Sequence, residues 1–142
     1  MEISEVRRRL LGAIEKARRD AAERRTRNDL AARDYDEFLS QRAAPVFHQF
    51  AAALKAEGHQ FNVFTPAASV RLAAARSPEE FIELFLDDSS DPPVVVGRVT
   101  RGRGRKTTSA ERALKDGAAI ADLTDEDVLV FLLEEIPRLI ER

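Results

Sequence analysis

The sequence predicts an α+β fold, with N-terminal helices, an antiparallel four- to five-stranded sheet (a meander) and a C-terminal helix. Apolar residues recur every three to four positions before Gly58, and the period changes to about two after it. The longer period returns after Thr124. A run of strands flanked by helices is typical of an antiparallel sheet that helices cover on one face.

The first predicted element is a helix over residues 3–25. Its apolar stripe is narrow and consists of Ile3, Val6, Leu10, Ala13, Ile14 and Ala17. The opposite face carries oppositely charged pairs one turn apart, such as Glu5 with Arg9. The stripe fades toward Asp20, which occupies a position where a coiled-coil seam requires an apolar residue.

A second helix is predicted after residues 18–29, a stretch with almost no apolar content that indicates a solvated helix or a joint. Asn28 is the expected cap of this second helix. Its stripe is broad and contains Leu30, Tyr35, Phe38, Leu39, Val46, Phe47, Phe50 and Leu54. Pro45 predicts a kink or break near Ala44, and Gly58 is the expected stop. We therefore predict a protruding or dimerising basic helix over 1–27 and a single α+β domain over 28–142.

The strands follow in chain order. Alternating apolar residues predict strands over 59–65, 69–73 and 94–100. Residues 81–87 also fit a strand, although a capping-box pattern at 77–80 would equally begin a short helix over 78–86. We favour the strand, followed by a hairpin connection over 87–93 and a fifth strand around 107–114.

The last helix begins after Thr124, whose hydroxyl is a suitable N-cap and is followed by three acidic residues. Pro137 is expected to kink or shorten it. The residues that face inward in this helix are Val128, Phe131, Leu132, Ile136 and Leu139. Across the whole chain we expect Phe47, Phe50, Phe61, Val95 and Phe131 to be buried.

Composition excludes several classes of protein. The 142 residues are 44% hydrophobic and 34% charged, which is typical of one globular domain and of neither a disordered nor a membrane protein. No apolar run approaches the ~18 residues that span a bilayer. The chain has no Cys, which removes disulfides and thiolate chemistry. The charged start lacks a signal-peptide pattern, and we expect a cytoplasmic protein without a membrane partner.

Charge is distributed in blocks along the chain. Residues 1–33 hold ten Arg and Lys against six Asp and Glu, whereas 34–96 hold four against ten. Residues 97–106 hold five cations and no acid, and 107–142 hold four cations against nine acids. Such asymmetry often reflects a partner surface or the complementarity of two copies.

The densest cationic cluster is the candidate site for an anion or a phosphate. It consists of Arg98, Arg101, Arg103, Arg105 and Lys106. Gly102 and Gly104 would let backbone amides approach a ligand, and guanidinium groups match phosphate geometry. Aromatic residues that would stack on bases are absent from the cluster. The competing interpretation is a solvated hairpin loop whose arginines pair with acidic residues of the same chain or of a second copy.

No catalytic set, metal site or cofactor is predicted. His48 fits a packing or boundary residue and His59 a cap at a helix–strand junction, and two scattered histidines without Cys do not make a zinc site. The acidic residues of the 87–91 segment fit turn chemistry and lack the Gly and distal Glu of a calcium loop.

The function predicted from the sequence is a non-enzymatic, self-associating protein-interaction module, expected to be a homodimer. The alternative is a nucleic-acid-associated protein that binds phosphate backbone through the 98–106 basic loop. An acidic protein surface is the other partner that this loop fits. The third interpretation is a small enzyme acting on an acidic substrate. The order of elements is similar to that of small dimeric nucleoid-associated proteins and secretion chaperones, a likeness of arrangement that transfers no residue roles.

Overall fold

A computed structural model describes residues 1–140, except for the side chain of Arg103, and confirms the α+β fold. The elements in chain order are α1 (Ile3–Phe38), a π-helical turn (Leu39–Ala43), α2 (Ala44–Ala56), β1 (Phe61–Phe64), β2 (Ser69–Ala74), β3 (Phe81–Asp87), β4 (Val94–Arg103), β5 (Lys106–Ala113), a 3-10 turn (Ile120–Asp122), α3 (Asp125–Glu135) and α4 (Pro137–Ile140).

Helix α1 is unbroken over 36 residues, so of the two alternatives for 18–29 the solvated helix is confirmed, whereas the joint and the cap expected at Asn28 are wrong. That stretch contains five Arg and two Ala, and these residue types have high helix propensity even where no apolar face is buried. Asn28 therefore lies inside the helix, and the second predicted helix begins as a continuation of the first.

The disturbance predicted near Ala44 is present as the π-helical turn before α2. Pro45 lies in the first turn of α2, where a missing N–H group is tolerated. The π-helical turn accommodates the proline ring, so the chain remains helical from α1 into α2. Gly58 ends α2 as predicted, with a φ of +89° and a 2.8 Å hydrogen bond from the His59 amide to the Leu54 carbonyl.

The five strands form one antiparallel meander in the order β1-β2-β3-β4-β5. Residues 81–87 form a strand, and the competing short helix is absent because this segment pairs on one side with β2 and on the other with β4. The capping-box pattern before it forms a turn, in which the Glu80 amide donates to the Ser77 carbonyl over 2.8 Å. The fifth strand is confirmed as β5.

The core lies between the inner face of the sheet and the layer made by α2 and α3. Phe47, Phe61, Val95 and Phe131 are buried as predicted, whereas Phe50 is only half-buried against the edge of the core. Gly97 lets the Phe131 ring approach the sheet, since a Cβ at this position would lie 2.2 Å from the ring. The inward residues predicted for the last helix are all buried.

The start of α3 is capped as the sequence predicts. The Asp127 amide donates to the Thr124 hydroxyl over 3.2 Å, and the Thr124 amide donates to the Asp127 carboxylate over 2.9 Å. Pro137 separates α3 from the short helix α4. No described helix of the chain is both long enough and apolar enough to cross a membrane.

Candidate functional site

The cationic cluster lies mostly on a two-stranded ribbon at the end of the β4–β5 hairpin. Strand β3 pairs with β4 only as far as Thr100, whereas β4 and β5 continue to pair through Arg103 and Lys106. Residues 101–108 therefore extend past the neighbouring strand, and we call them the ribbon. Gly104 has a φ of +60° in its two-residue loop, which is the requirement of a tight hairpin turn at this position.

Arg98 lies apart from the ribbon, in the body of the sheet. Its Nε donates to Glu111 Oε1 over 2.8 Å, and its Nη1 lies 3.8 Å from Glu83 Oε1. The guanidinium carbon also lies 4.6 Å from the centre of the Phe85 ring. The guanidinium of Arg98 is thus paired with residues of its own chain, and the structure does not bring it together with the other cations.

The described ribbon cations are open to solvent to different degrees. Arg105 and Lys106 are exposed and Arg101 is half-buried, and within the described residues these three side chains make no ion pair. Arg103, the remaining predicted member, has a side chain that lies outside the described part of the structure. The ribbon therefore offers at least three cationic groups for which the described chain provides no acidic partner.

Acidic side chains border one side of the ribbon near its base. A Cβ placed on Gly102 would lie 3.5 Å from Glu80 Oε1 and 3.8 Å from Glu79 Oε1. Glu80 is buried and takes part in an interaction of its own. The positive potential of the ribbon is thus reduced at its base and is greatest toward its tip, where Arg105 lies.

The outer face of the sheet carries a row of alternating charges that the sequence analysis did not find. The strand register places Arg71, Glu83, Arg98 and Glu111 side by side across β2 to β5. Arg71 Nε donates to Glu83 Oε2 over 2.8 Å, and its guanidinium lies 4.0 Å from the centre of the Phe81 ring. Two arginines and two glutamates leave the row without net charge, so it offers no excess charge to an anionic ligand.

The N-terminal part of α1 is the second unusual surface. Residues 3–20, which we call the arm, extend away from the rest of the chain, and all of them except Glu5 are exposed. Ile3 is 86% exposed and Leu10 57%. Two of the arginines beside the stripe are paired locally, since Glu5 Oε1 lies 3.0 Å from Arg9 and 3.9 Å from Arg8. The arm is therefore a helix with an apolar face that no described part of the chain covers.

The remainder of α1 is held by specific contacts to residues 39–140, which we call the body. Arg27 donates two hydrogen bonds to Asp91, of 3.2 and 2.9 Å, and these hold the pKa of Asp91 below its ordinary value. The Tyr35 hydroxyl donates to the Ala68 carbonyl over 2.5 Å, and burial raises the pKa of Tyr35. The body thus fixes the direction in which the arm projects.

The other polar candidates have structural positions. His48 is exposed on α2, so of the packing and boundary roles expected for it the packing role is wrong. The His59 amide closes the end of α2. Asp87 accepts hydrogen bonds from the Ser89 amide and hydroxyl, which lower its pKa and form the turn predicted for this loop. Among the described residues, no group of three or more His, Asp or Glu side chains is arranged to hold a metal ion.

Comparison with known proteins finds no matching protein family, no matching curated protein and no matching solved structure.

Proposed function

We propose that the protein is a non-enzymatic interaction module that self-associates as a homodimer through its arm. The observation that supports this proposal is the uncovered apolar face of residues 3–20. An amphipathic helix in water gains most of its stability from packing that face against another surface. The body cannot supply this surface, because α1 continues without a break from the arm into the contacts of Tyr35 and Phe38.

The experiment is a mass measurement by light scattering over a concentration series. The full chain is expected to reach twice its chain mass of 15.9 kDa, and a chain lacking residues 1–20 is expected to remain a monomer. The deletion stops before Ala21 so that the Arg27–Asp91 hydrogen bonds and the burial of Tyr35 are kept. The control is the double variant Arg105→Ala, Lys106→Ala, which changes two exposed cations and should leave the mass unchanged.

Two outcomes oppose the proposal. A full chain that stays monomeric at every concentration would remove self-association altogether. A dimer that survives the deletion would move the interface from the arm to the body, for which the long exposed edge strand β5 is the first place to look.

A second function is favoured by the ribbon, which we propose as a contact for the phosphate backbone of nucleic acid. A two-stranded β-ribbon fits the major groove of B-DNA, and this one extends past β3 with Arg101, Arg105 and Lys106 unpaired within the described residues. Sequence preference should be slight, because contacts to phosphates do not read base edges.

Salt dependence tests this second function. Three phosphate contacts give a logarithmic salt slope of about −2.7 on duplex DNA, so a fourfold rise in salt should weaken binding about 40-fold. The double variant Arg101→Ala, Arg105→Ala should flatten the slope by about 1.8. Arg98→Gln is the matched control from the same strand, and it should leave the slope unchanged because Glu111 and Glu83 already engage that guanidinium. Absence of binding at ~150 mM salt would exclude this function.

A further inference from the structure

The arm has an apolar seam that stops abruptly at charged residues. When Ile3 is assigned to position a of a heptad, Val6 falls at d, Leu10 at a and Ala13 at d. Ala17 is the next a position, and the following seam positions are Asp20 and Arg24. The seam is therefore apolar over two heptads only, although the helix itself continues to Phe38.

A parallel pair of arms would bring like charges together. In that arrangement each seam residue faces the same residue of the second copy, so Asp20 would lie against Asp20 and Arg24 against Arg24. Like charges held close together destabilise a pair of helices, as they do between neighbours on one helix. The contacts of α1 with the body begin at Arg27, only three residues after Arg24. Two parallel helices would therefore have little length over which to diverge from each other.

We infer that the arms of two copies pair in antiparallel orientation, with Ile3 opposite Ala13 and Val6 opposite Leu10 of the second copy. This inference rests on the self-association proposed above and adds its geometry. Ile3 then packs against the smaller Ala13, and Val6 packs against Leu10, which is closer to it in size. Such pairs fill the space between the helices. Asp20 and Arg24 lie beyond the end of the partner helix and remain in water.

Charge along one edge of the seam, at the g positions, favours the same orientation, whereas at the other edge Arg7 falls at position e beside its own counterpart. Glu2 and Lys16 both fall at position g of the heptad, and g positions of antiparallel helices lie along the same side of the pair. Neither side chain makes an ion pair within the described residues, so each is available to the other copy. Arg9, which lies at g near the centre, is already paired with Glu5 of its own chain over 3.0 Å.

The main alternative binding surface for the arm is a shallow groove between α2 and α3. Phe50 and Leu129 form its floor, and Asp125 and Glu126 lie at its rim. An arm seated in this groove of a second copy would also give a dimer, with the two bodies in contact. Antiparallel arms instead place the two Ala21 residues about 39 Å apart, at ~1.5 Å per residue over 26 residues.

Disulfide trapping in the full chain distinguishes these arrangements, because the natural sequence contains no Cys. The antiparallel register brings position 3 of one copy beside position 13 of the other, whereas each position lies about 15 Å from its own counterpart. A disulfide requires Cα atoms within about 7 Å. An equimolar mixture of Ile3→Cys and Ala13→Cys chains should therefore cross-link into mixed dimers in a glutathione buffer, and neither variant should cross-link alone.

Each outcome of the trapping experiment has a definite meaning when mass is measured on the same samples. Mixed dimers without single-variant dimers support the antiparallel pair. Dimers of Ile3→Cys alone show a parallel pair and overturn the inference while leaving self-association intact. A dimeric mass without any cross-link also overturns it and directs attention to the α2–α3 groove. A monomeric mass in every sample contradicts the proposed function itself.

Discussion

The two halves of α1 belong to one unbroken helix and yet depend on different forces. In the proximal half, residues 21–38, Tyr35 and Phe38 are 2% and 3% exposed and are packed into the core. In the arm, residues of similar apolar character, such as Ile3 and Leu10, are largely in water. The backbone is helical throughout, so burial is what differs between the halves.

This difference separates helix formation from helix burial. The proximal half is fixed by tertiary contacts, namely the Arg27–Asp91 hydrogen bonds and the packing of Tyr35. The arm has only helix propensity and local ion pairs within the chain, which contribute a few tenths of a kcal/mol each. A surface kept apolar without any contribution to the fold of its own chain is typical of an interaction site.

The largest expected effect compares one apolar residue from each half. Phe38→Ala should lower the free energy of unfolding by about 3–5 kcal/mol, because it removes a buried ring and leaves a cavity. Leu10→Ala should leave the urea midpoint of the monomer nearly unchanged and weaken only the proposed dimer. Urea unfolding at low protein concentration, where the monomer dominates, gives the comparison.

A large loss of monomer stability in Leu10→Ala would contradict the comparison, because it would mean that the arm packs on its own body. An unchanged midpoint in Phe38→Ala would show that the proximal half is not part of the core.

The sequence pattern predicted the positions of helices and strands better than it predicted which of their residues are buried. Periodicity located all five strands, and capping chemistry located the start of α3 at Thr124. At 18–29 it left a solvated helix and a joint as alternatives, because the absence of an apolar stripe says that a helix is unsupported and does not say whether it ends. It also could not separate Phe50, at the edge of the α2–α3 layer, from Phe47 in its centre.

The candidate site shows the same limit. Five cations in nine positions were visible in the sequence, but their division between sheet and ribbon depends on where β3 stops pairing with β4. Arg98 is neutralised by Glu111, thirteen positions away, and by Glu83 on another strand. Such cross-strand partners depend on the register between paired strands, which cannot be read from a single sequence. The alternating row could have been anticipated only by aligning the outward positions of four strands at once.

The second prediction concerns the hydrogen bond from Tyr35 to the loop between β1 and β2. Tyr35→Phe should lower the free energy of unfolding by about 1 kcal/mol, because the Ala68 carbonyl loses its donor. Ala68 has a φ of +56°, which is strained for a residue with a side chain. Ala68→Gly in the same background should recover part of the loss, as measured by thermal unfolding. Full stability in Tyr35→Phe would mean that the hydroxyl of Tyr35 does not help to hold the proximal half, which would then depend on ring packing and the Arg27–Asp91 hydrogen bonds.

A smaller effect is expected from Gly12, which lies in the arm at a position where an added Cβ would meet no neighbouring atom within 4 Å. Gly12→Ala should stabilise the arm helix by about 0.5–1 kcal/mol through backbone entropy. Because this residue lies at position c of the heptad, outside the seam, dimerisation should be kept or slightly strengthened. Amide hydrogen exchange in residues 8–16 should slow, whereas exchange in α2 should not change.

The smallest effect is a titration at the contact between the proximal half and the β3–β4 loop. The hydrogen bonds from Arg27 hold the pKa of Asp91 below its ordinary 3.8. Since this carboxyl has a lower pKa in the folded state than in the unfolded one, its contribution to stability is complete above pH 3.8 and is lost as the pH falls through the folded pKa.

Carboxyl-detected NMR over the acid range measures this contribution directly. Arg27→Ala should raise the pKa of Asp91 toward its ordinary value and should speed amide exchange near residue 27. Asp87, the last residue of β3, is the matched control beside this loop, since the low pKa of its carboxyl depends on Ser89 and should not respond to Arg27. If the two carboxyls shifted together, the loop as a whole would have rearranged on loss of Arg27. If the pKa of Asp91 did not rise, the arm would owe its direction to the packing of Tyr35 and Phe38 without help from this ion pair.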